Sequence, residues 1–402
     1  MACLLSGRLP GRDASGVPAQ RSFLRERHVR AQDLHDLSQT DARSGAARAA
    51  ARRAGAGGVG GRGVFGEVPM NASSATLNPE DTRALLAAAL HEVHGADAEI
   101  ETWTAGPLSK RGKRRVVRYD LHARVAGAPH VQRYQWVGKF YERDEDAHAI
   151  ATILRELAAT GCGARGGFVV PTVVAYDAPR CLLLLTYESG ESVTKAIARD
   201  APRVLAVIGR ALAVLHAAPV SPDGIRGPAA VLGDVRRRIA DLCARFPAEA
   251  ASLRDLLIRL ERRAPPAPAT PSFLHGDLGL VQLLWNAGRI VVLDFDDCTR
   301  GDPALDLGNL LTQLRRLTLR KPGKLPDFTS LRRGILAAYQ ACARHDPGLA
   351  NRVAWYEQTA LVGKIHSLTF DRTRHPEAEA IRRRQAEAMR LLTCEHASIT
   401  SF

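Results

Sequence analysis

Hydrophobic residues along the chain repeat first at strand spacing and later at helix spacing. Pro79-Glu-Asp-Thr-Arg-Ala-Leu-Leu-Ala-Ala-Ala-Leu opens with Pro and acids and continues with small and apolar residues, which predicts a helix start. From Glu99 to Trp103 and again from Arg115 to Ala126, β-branched and aromatic residues alternate with polar ones, so two strands flank a loop from Gly106 to Gly112. Val131 to Tyr141 predicts a third strand centred on Trp136-Val-Gly-Lys-Phe, and Asp144 to Thr160 a helix with Ile150, Ile153, Leu154 and Leu157 on one face. Val169 to Tyr176, around Pro171, and Leu182 to Tyr187 complete five strands with one inserted helix, a small α+β lobe.

Beyond Glu188-Ser-Gly-Glu191 the period becomes helical. Ala201 to Ala217 carries Leu205, Ile208, Leu212 and Leu215 at helix spacing, Val235 to Phe246 and Glu249 to Arg263 follow, and Ala264-Pro-Pro-Ala-Pro ends the run. A short strand-rich section from Phe273 to Phe295 precedes four more helices: Pro303 to Leu319, Ser330 to Arg344, Leu349 to Leu368 and Glu377 to Leu392. A chain of 402 residues, 46 % apolar, buries a sizeable core but exceeds the usual size of one compact domain. The pattern divides it into a first lobe at 70–188 and a mostly helical second lobe at 189–395.

Residues 1–69 show Arg-Ala-Gly repetition and no sustained apolar periodicity, so they are expected to be a disordered tail, and Met70 stands as an alternative translation start. The formal charge of +14 raises the question of polyanionic partners, but 11 Arg against 6 acids in the first 70 residues puts a good part of it on that tail. No nucleic-acid-binding module or interleaved aromatic pattern accompanies the charge, so neither a specific nucleic acid nor a membrane is expected as partner. Seven cysteines stand without CxxC pairs, and neither an 18-residue apolar run nor a signal-peptide core occurs, which together predict a cytoplasmic protein.

The chemistry concentrates between His275 and Asp306. Phe273-Leu-His-Gly-Asp-Leu-Gly-Leu-Val-Gln-Leu-Leu-Trp and Ile290-Val-Val-Leu-Asp-Phe-Asp-Asp297 flank the turn Asn286-Ala-Gly-Arg289, as in a β-hairpin. Such a hairpin brings Asp277 and Gln282, before its first arm, close to Asp294 at the end of its second. Three oxygen-bearing side chains then converge. Phosphoryl transfer needs in-line positioning and charge stabilisation, and Mg²⁺ takes only one or two protein oxygens beside phosphates and water. Gln282 and Asp294 suit the metal, leaving Asp277 to orient a substrate hydroxyl and receive its proton. Asp296 and Asp297 read either as a cationic-substrate or additional metal site or as solvated carboxylates at a strand end.

Here the sequence resembles the aminoglycoside phosphotransferase and choline kinase group, distant relatives of protein kinases, over roughly residues 80–395. His275-Gly276-Asp277 matches the catalytic loop, Leu293-Asp294-Phe295 the second metal-binding Asp, and Gly301-Asp302-Pro303 with Asp306-Leu307 the structural segment that follows. The resemblance implies an α+β, bilobal protein-kinase-like fold, with a small five-stranded N-lobe carrying one helix and a mostly helical C-lobe. It implies ATP, or another nucleoside triphosphate, and Mg²⁺ as cofactors and a small-molecule hydroxyl as acceptor. Lys139 on the third strand is the expected grip on the α- and β-phosphates, with Glu145 in the next helix as its partner Glu and Glu188 in the adenine-binding segment. Lys110, Arg111 and Lys113 fall in the phosphate-covering loop. In relatives the late Asp residues brace the catalytic loop by hydrogen bonds, and His275 is expected to be structural. The usual metal-binding amide is Asn, whereas this chain has Gln282 on a longer arm. That departure leaves a catalytically inactive nucleotide-binding pseudokinase as the alternative to a small-molecule kinase.

Overall fold

The computed structural model describes residues 78–109, 115–370 and 378–399. The first helix, α1 (Pro79–His94), starts at Asn78, whose side chain accepts the Asp81 amide at 2.7 Å and satisfies one of the free donors of the first turn. Next come β1 (Glu99–Ser109), β2 (Arg115–Arg124), β3 (Gln132–Phe140), α2 (Asp144–Ala159), a short α3 (Cys162–Gly166), β4 (Phe168–Val169), β5 (Val173–Asp177) and β6 (Leu182–Thr186). Five of these strands form an antiparallel sheet in the order β1-β2-β3-β6-β5. Within it β2 alternates buried and more exposed positions, whereas β6, Leu182–Thr186, is apolar on both faces because both are covered. Leu184 and Trp136 pack beneath Leu86 and Leu90 of α1, whereas Leu183 and Leu185 pack with Ile150, Ile153 and Leu154 of α2.

Two expected boundaries move. Val169 to Tyr176 is two strands rather than one: at Pro171 the ladder is interrupted, and Phe168–Val169 leaves the five-stranded sheet for a different one. The loop expected from Gly106 is still strand as far as Ser109, paired to Val116, with a register shift between Pro107 and Ser109 that absorbs the proline. The segment holding Lys110, Arg111 and Lys113 lies outside the described residues, as do the 1–69 tail and Met70.

The remainder is β7 (Glu191–Ser192), α4 (Val193–His216), β8 (Ile225–Arg226), α5 (Pro228–Arg245), α6 (Ala250–Arg262), β9 (Ser272–Leu274), β10 (Leu283–Asn286), β11 (Arg289–Val292), β12 (Thr299–Gly301), α7 (Ala304–Arg320), α8 (Phe328–Gln340), α9 (Leu349–Phe370) and α10 (Ala378–Ile399). Helix α4 begins earlier than the expected Ala201 because Ser192 caps it, and it breaks at non-helical Asp200, two residues before Pro202. Two small sheets, β4-β11-β10-β7 and β8-β12-β9, lie among the helices and hold the ends of the functional loops. The β10–β11 hairpin turns at Ala287 and Gly288, both with positive φ (48° and 87°), as a two-residue turn matching strand twist requires. Among the described residues no helix is long and apolar enough to cross a membrane.

Helices α4 and α8 meet at Gly209. A Cβ there would stand 2.6 Å from Ala338 Cβ and 2.8 Å from the Ile335 carbonyl, and neither group can move aside cheaply. Gly233, exposed within α5, has nothing within 4 Å of the same position. Gly209→Ala is therefore expected to destabilise the fold by roughly 1–3 kcal/mol, and Gly233→Ala to stabilise it by about 0.5–1 kcal/mol, both read from urea midpoints.

Candidate active site

The catalytic-loop candidate leaves β9 at Leu274 and is fixed by one carboxylate. Asp306, fully buried in the first turn of α7, accepts the backbone amides of His275 at 2.7 Å and Gly276 at 3.0 Å. Its Oδ2 also meets His216 Nε2 at 3.1 Å, and the other nitrogen of that ring lies 3.0 Å from the Tyr339 hydroxyl. Burial opposes ionisation of Asp306, but His216 and these amides outweigh it and hold the carboxyl below the usual range. Gly276 must be glycine: its φ is +84°, and a Cβ would lie 1.9 Å from the Asp297 carbonyl oxygen. The loop is thereby pressed against the segment that follows β11. His275 is fully buried, donates from Nε2 to the Leu293 carbonyl at 2.8 Å and leans on the Phe295 ring, the structural part expected of it.

Around this loop the expected residues separate into those that come together and those that do not. Burial pushes the Asp277 carboxyl above its ordinary value, and the negative charges of Asp297 and Asp294 push the same way against His275 and Lys364. Asp277 is thus a solvent-exposed carboxylate crowded by surrounding protein and like charge, a condition that makes a better base. Asp294 sits immediately after the β11 arm in a left-handed conformation, φ 67°, costly for a residue with a side chain. Its Oδ1 receives Lys139 Nζ at 2.7 Å. Lys139 reaches across 155 residues of sequence, from the middle sheet strand β3 to the end of the hairpin.

Gln282 is joined to the same place through its backbone, whose carbonyl accepts the Leu293 amide at 2.9 Å. Its side-chain Oε1 is buried with no hydrogen-bond partner among the described residues. A buried acceptor without a donor is unfavourable unless something electropositive fills the position. That orphaned oxygen and the hard carboxylate oxygens of Asp294 are the donor types that Mg²⁺ takes beside phosphates and water.

Glu145 and Glu188 are placed differently. Glu145 is exposed in the first turn of α2 and makes no ion pair with Lys139, so the strand lysine is not held by the helix acid expected to hold it. Glu188, half-buried after β6, accepts the Thr186 hydroxyl at 2.7 Å, while the neighbouring Tyr187 amide bonds to the Gln135 carbonyl at 2.9 Å. The second partner of Lys139 is Asp296, at 2.7 Å, which also accepts the Tyr141 hydroxyl at 2.8 Å. Burial works against the Asp296 charge, but the Lys139 ammonium and the hydrogen bonds hold its carboxyl down to about 2. Asp296 is therefore committed inside the site, and only Asp297 of the two acids is exposed.

The profile of the phosphotransferase enzyme family matches residues 125–351. The chain belongs to this family. Its mixed α+β structure, an antiparallel five-stranded sheet followed by a mostly helical part, is the protein-kinase-like arrangement that the resemblance implied. Among solved structures it is similar to the macrolide 2′-phosphotransferase MphH from Brachybacterium faecium, at 22 % identity over 77 % of this chain and 98 % of that one, TM-score 0.45. It is similar also to the choline kinase LicA from Streptococcus pneumoniae, at 12 % identity over 78 % and 99 % of the two chains, TM-score 0.46. No curated protein matches the chain. Three side chains that hold the candidate residues in place, His216, Tyr339 and Tyr141, drew no reading from sequence, and Asp296, read there as a cationic-substrate or metal site or a solvated carboxylate, instead pairs with Lys139. Of those three, Tyr141 carried a signal, its i+2 spacing from Lys139.

Replacing Asp306 by Ala strands two buried amides and His216, and is expected to cost about 3–5 kcal/mol, measured by chemical denaturation of the full chain. Asp306→Asn, which keeps an acceptor oxygen, is expected to cost less.

Proposed function

We propose that the chain transfers the γ-phosphoryl group of ATP, with Mg²⁺, to a hydroxyl of a small polar molecule. The observation that carries this reading is the pairing of Lys139 with Asp294, which joins the expected phosphate grip to the expected metal carboxylate beside Asp277. Asp277 orients the acceptor hydroxyl and takes its proton as the oxygen attacks phosphorus in line. Lys139 holds the nucleotide phosphates. Gln282 Oε1 and Asp294 would hold Mg²⁺, which when bound would neutralise charge growing on the phosphate oxygens. The backbone around Tyr187 and Glu188 lies where the adenine is received. Among aminoglycoside-, amino-alcohol- and sugar-like acceptors, exposed Asp297 near the base supports a cationic one.

Gln282 in place of Asn favours one other reading, a nucleotide-binding protein without turnover. Incubation with MgATP and a panel of amino alcohols, aminoglycosides, macrolides and sugars, followed by mass spectrometry, decides between them. A gain of one phosphate on an acceptor supports the transferase, and nucleotide binding without any gain across the panel supports the second reading.

Asp277→Asn is expected to lower kcat by about 10²- to 10⁴-fold, the usual range for a lost general base. Because Asp277 works deprotonated and its pKa is raised, kcat/KM is expected to fall on acidification with a midpoint above the ordinary carboxylate value of about 4. Asp297→Asn removes a like charge and is expected to move that midpoint to lower pH. The same shift costs stability. A carboxyl whose folded pKa is raised penalises the fold fully above that pKa, and the penalty vanishes below its unfolded value. Asp277→Asn is therefore expected to raise the melting temperature at pH 7, and the gain to fade toward pH 3.

A further inference from the structure

A lysine that grips phosphates needs a carboxylate to hold its ammonium in place, and α2 does not supply one. Asp144 accepts the Tyr176 hydroxyl, Asp146 pairs with Arg143 at 2.6 Å, and the exposed Glu145 side chain makes no hydrogen bond or ion pair among the described residues. The middle of the helix, Ala147 to Arg155, contains no acid. Two carboxylates from the segment after β11 take its place at equal distance, 2.7 Å, but in unequal settings. Asp294 is 53 % exposed and Asp296 7 %.

We propose that Asp296, fixed by Tyr141, is the permanent anchor of Lys139 and replaces the helix glutamate in this chain. This rests on Lys139 holding the nucleotide phosphates. Both oxygens of Asp296 are engaged, one by Lys139 Nζ and one by the Tyr141 hydroxyl at 2.8 Å, so the carboxylate cannot rotate away without losing both. Tyr141 follows Lys139 by two residues and therefore lies on the same strand side, with its ring 5.9 Å from the ammonium. A desolvated pair of this kind is strongly favoured over either charge left alone. Asp294, largely in solvent, is the partner that can turn to a metal ion while Asp296 keeps the lysine. The phosphate grip and the metal carboxylate then sit on one three-residue stretch, Asp294-Phe-Asp296, and neither depends on where α2 lies. Phe295, buried against Phe273 and His275, fixes that stretch to the catalytic loop. Asp296 is a positioning residue, acting on the nucleotide through Lys139.

The test compares binding of MgADP and of adenosine to the full chain by calorimetry, for Lys139→Met, Asp296→Asn, the double variant and Glu145→Gln. Expected results are at least fivefold weaker MgADP binding for each of the first two and a double variant within twofold of Lys139→Met, because both changes remove one device. Glu145→Gln is expected to stay within twofold of the parent, and adenosine, which has no phosphate to grip, to bind alike in all. MgADP weakened by Lys139→Met but not by Asp296→Asn overturns the anchor and leaves the lysine's role standing. MgADP unaffected by Lys139→Met overturns both. An effect of Glu145→Gln as large as that of Lys139→Met returns the anchor to the helix. Loss of adenosine binding in Asp296→Asn overturns positioning in favour of a general disruption of the site.

Discussion

A single buried carboxylate sets the frame on which the active site is built. Asp306 has no contact with solvent, and an ionised carboxylate in that position is tolerated only when hydrogen-bond donors meet it. Those donors come from three directions: the amides of His275 and Gly276, the His216 ring at the end of α4 and, through that ring, Tyr339 of α8. The requirement to satisfy one charge therefore fixes the catalytic loop against three helices. Asp302 does the same one turn earlier, joining the start of α7 to Arg352 of α9 at 2.7 Å. With the loop so held, the left-handed Gly276 and its tight approach to the Asp297 carbonyl follow without further support.

On that frame the charged groups divide by exposure. Asp306, Asp302 and Asp296 are buried and paired, and they hold backbone or lysine in place. Asp294 and Asp297 face solvent, where a metal, phosphates or an acceptor can meet them. Asp277 belongs with the exposed acids, and the surrounding protein and the charges of Asp297 and Asp294 push its carboxyl above the ordinary value, as suits a group that accepts a proton. Gln282 Oε1 is a buried oxygen without a hydrogen-bond partner among the described residues.

Local pattern and spacing determined much of this protein. Alternation in the first lobe predicted the five strands, and the Asn286-Ala-Gly-Arg289 turn predicted the hairpin. Each depends on neighbours within about 20 residues, and such neighbours leave a periodic or turn-forming trace in the chain. The tertiary structure alone decided that Phe168–Val169 joins β11 across the break at Pro171, because strand partners far apart in sequence carry no mark of each other. It also decided that Lys139 is held by Asp294 and Asp296, more than 150 residues away, and not by Glu145 six residues on. A helix acid near in sequence is an obvious candidate, but an ion pair forms where both charges are brought to the same desolvated place, and only the folded chain fixes that place.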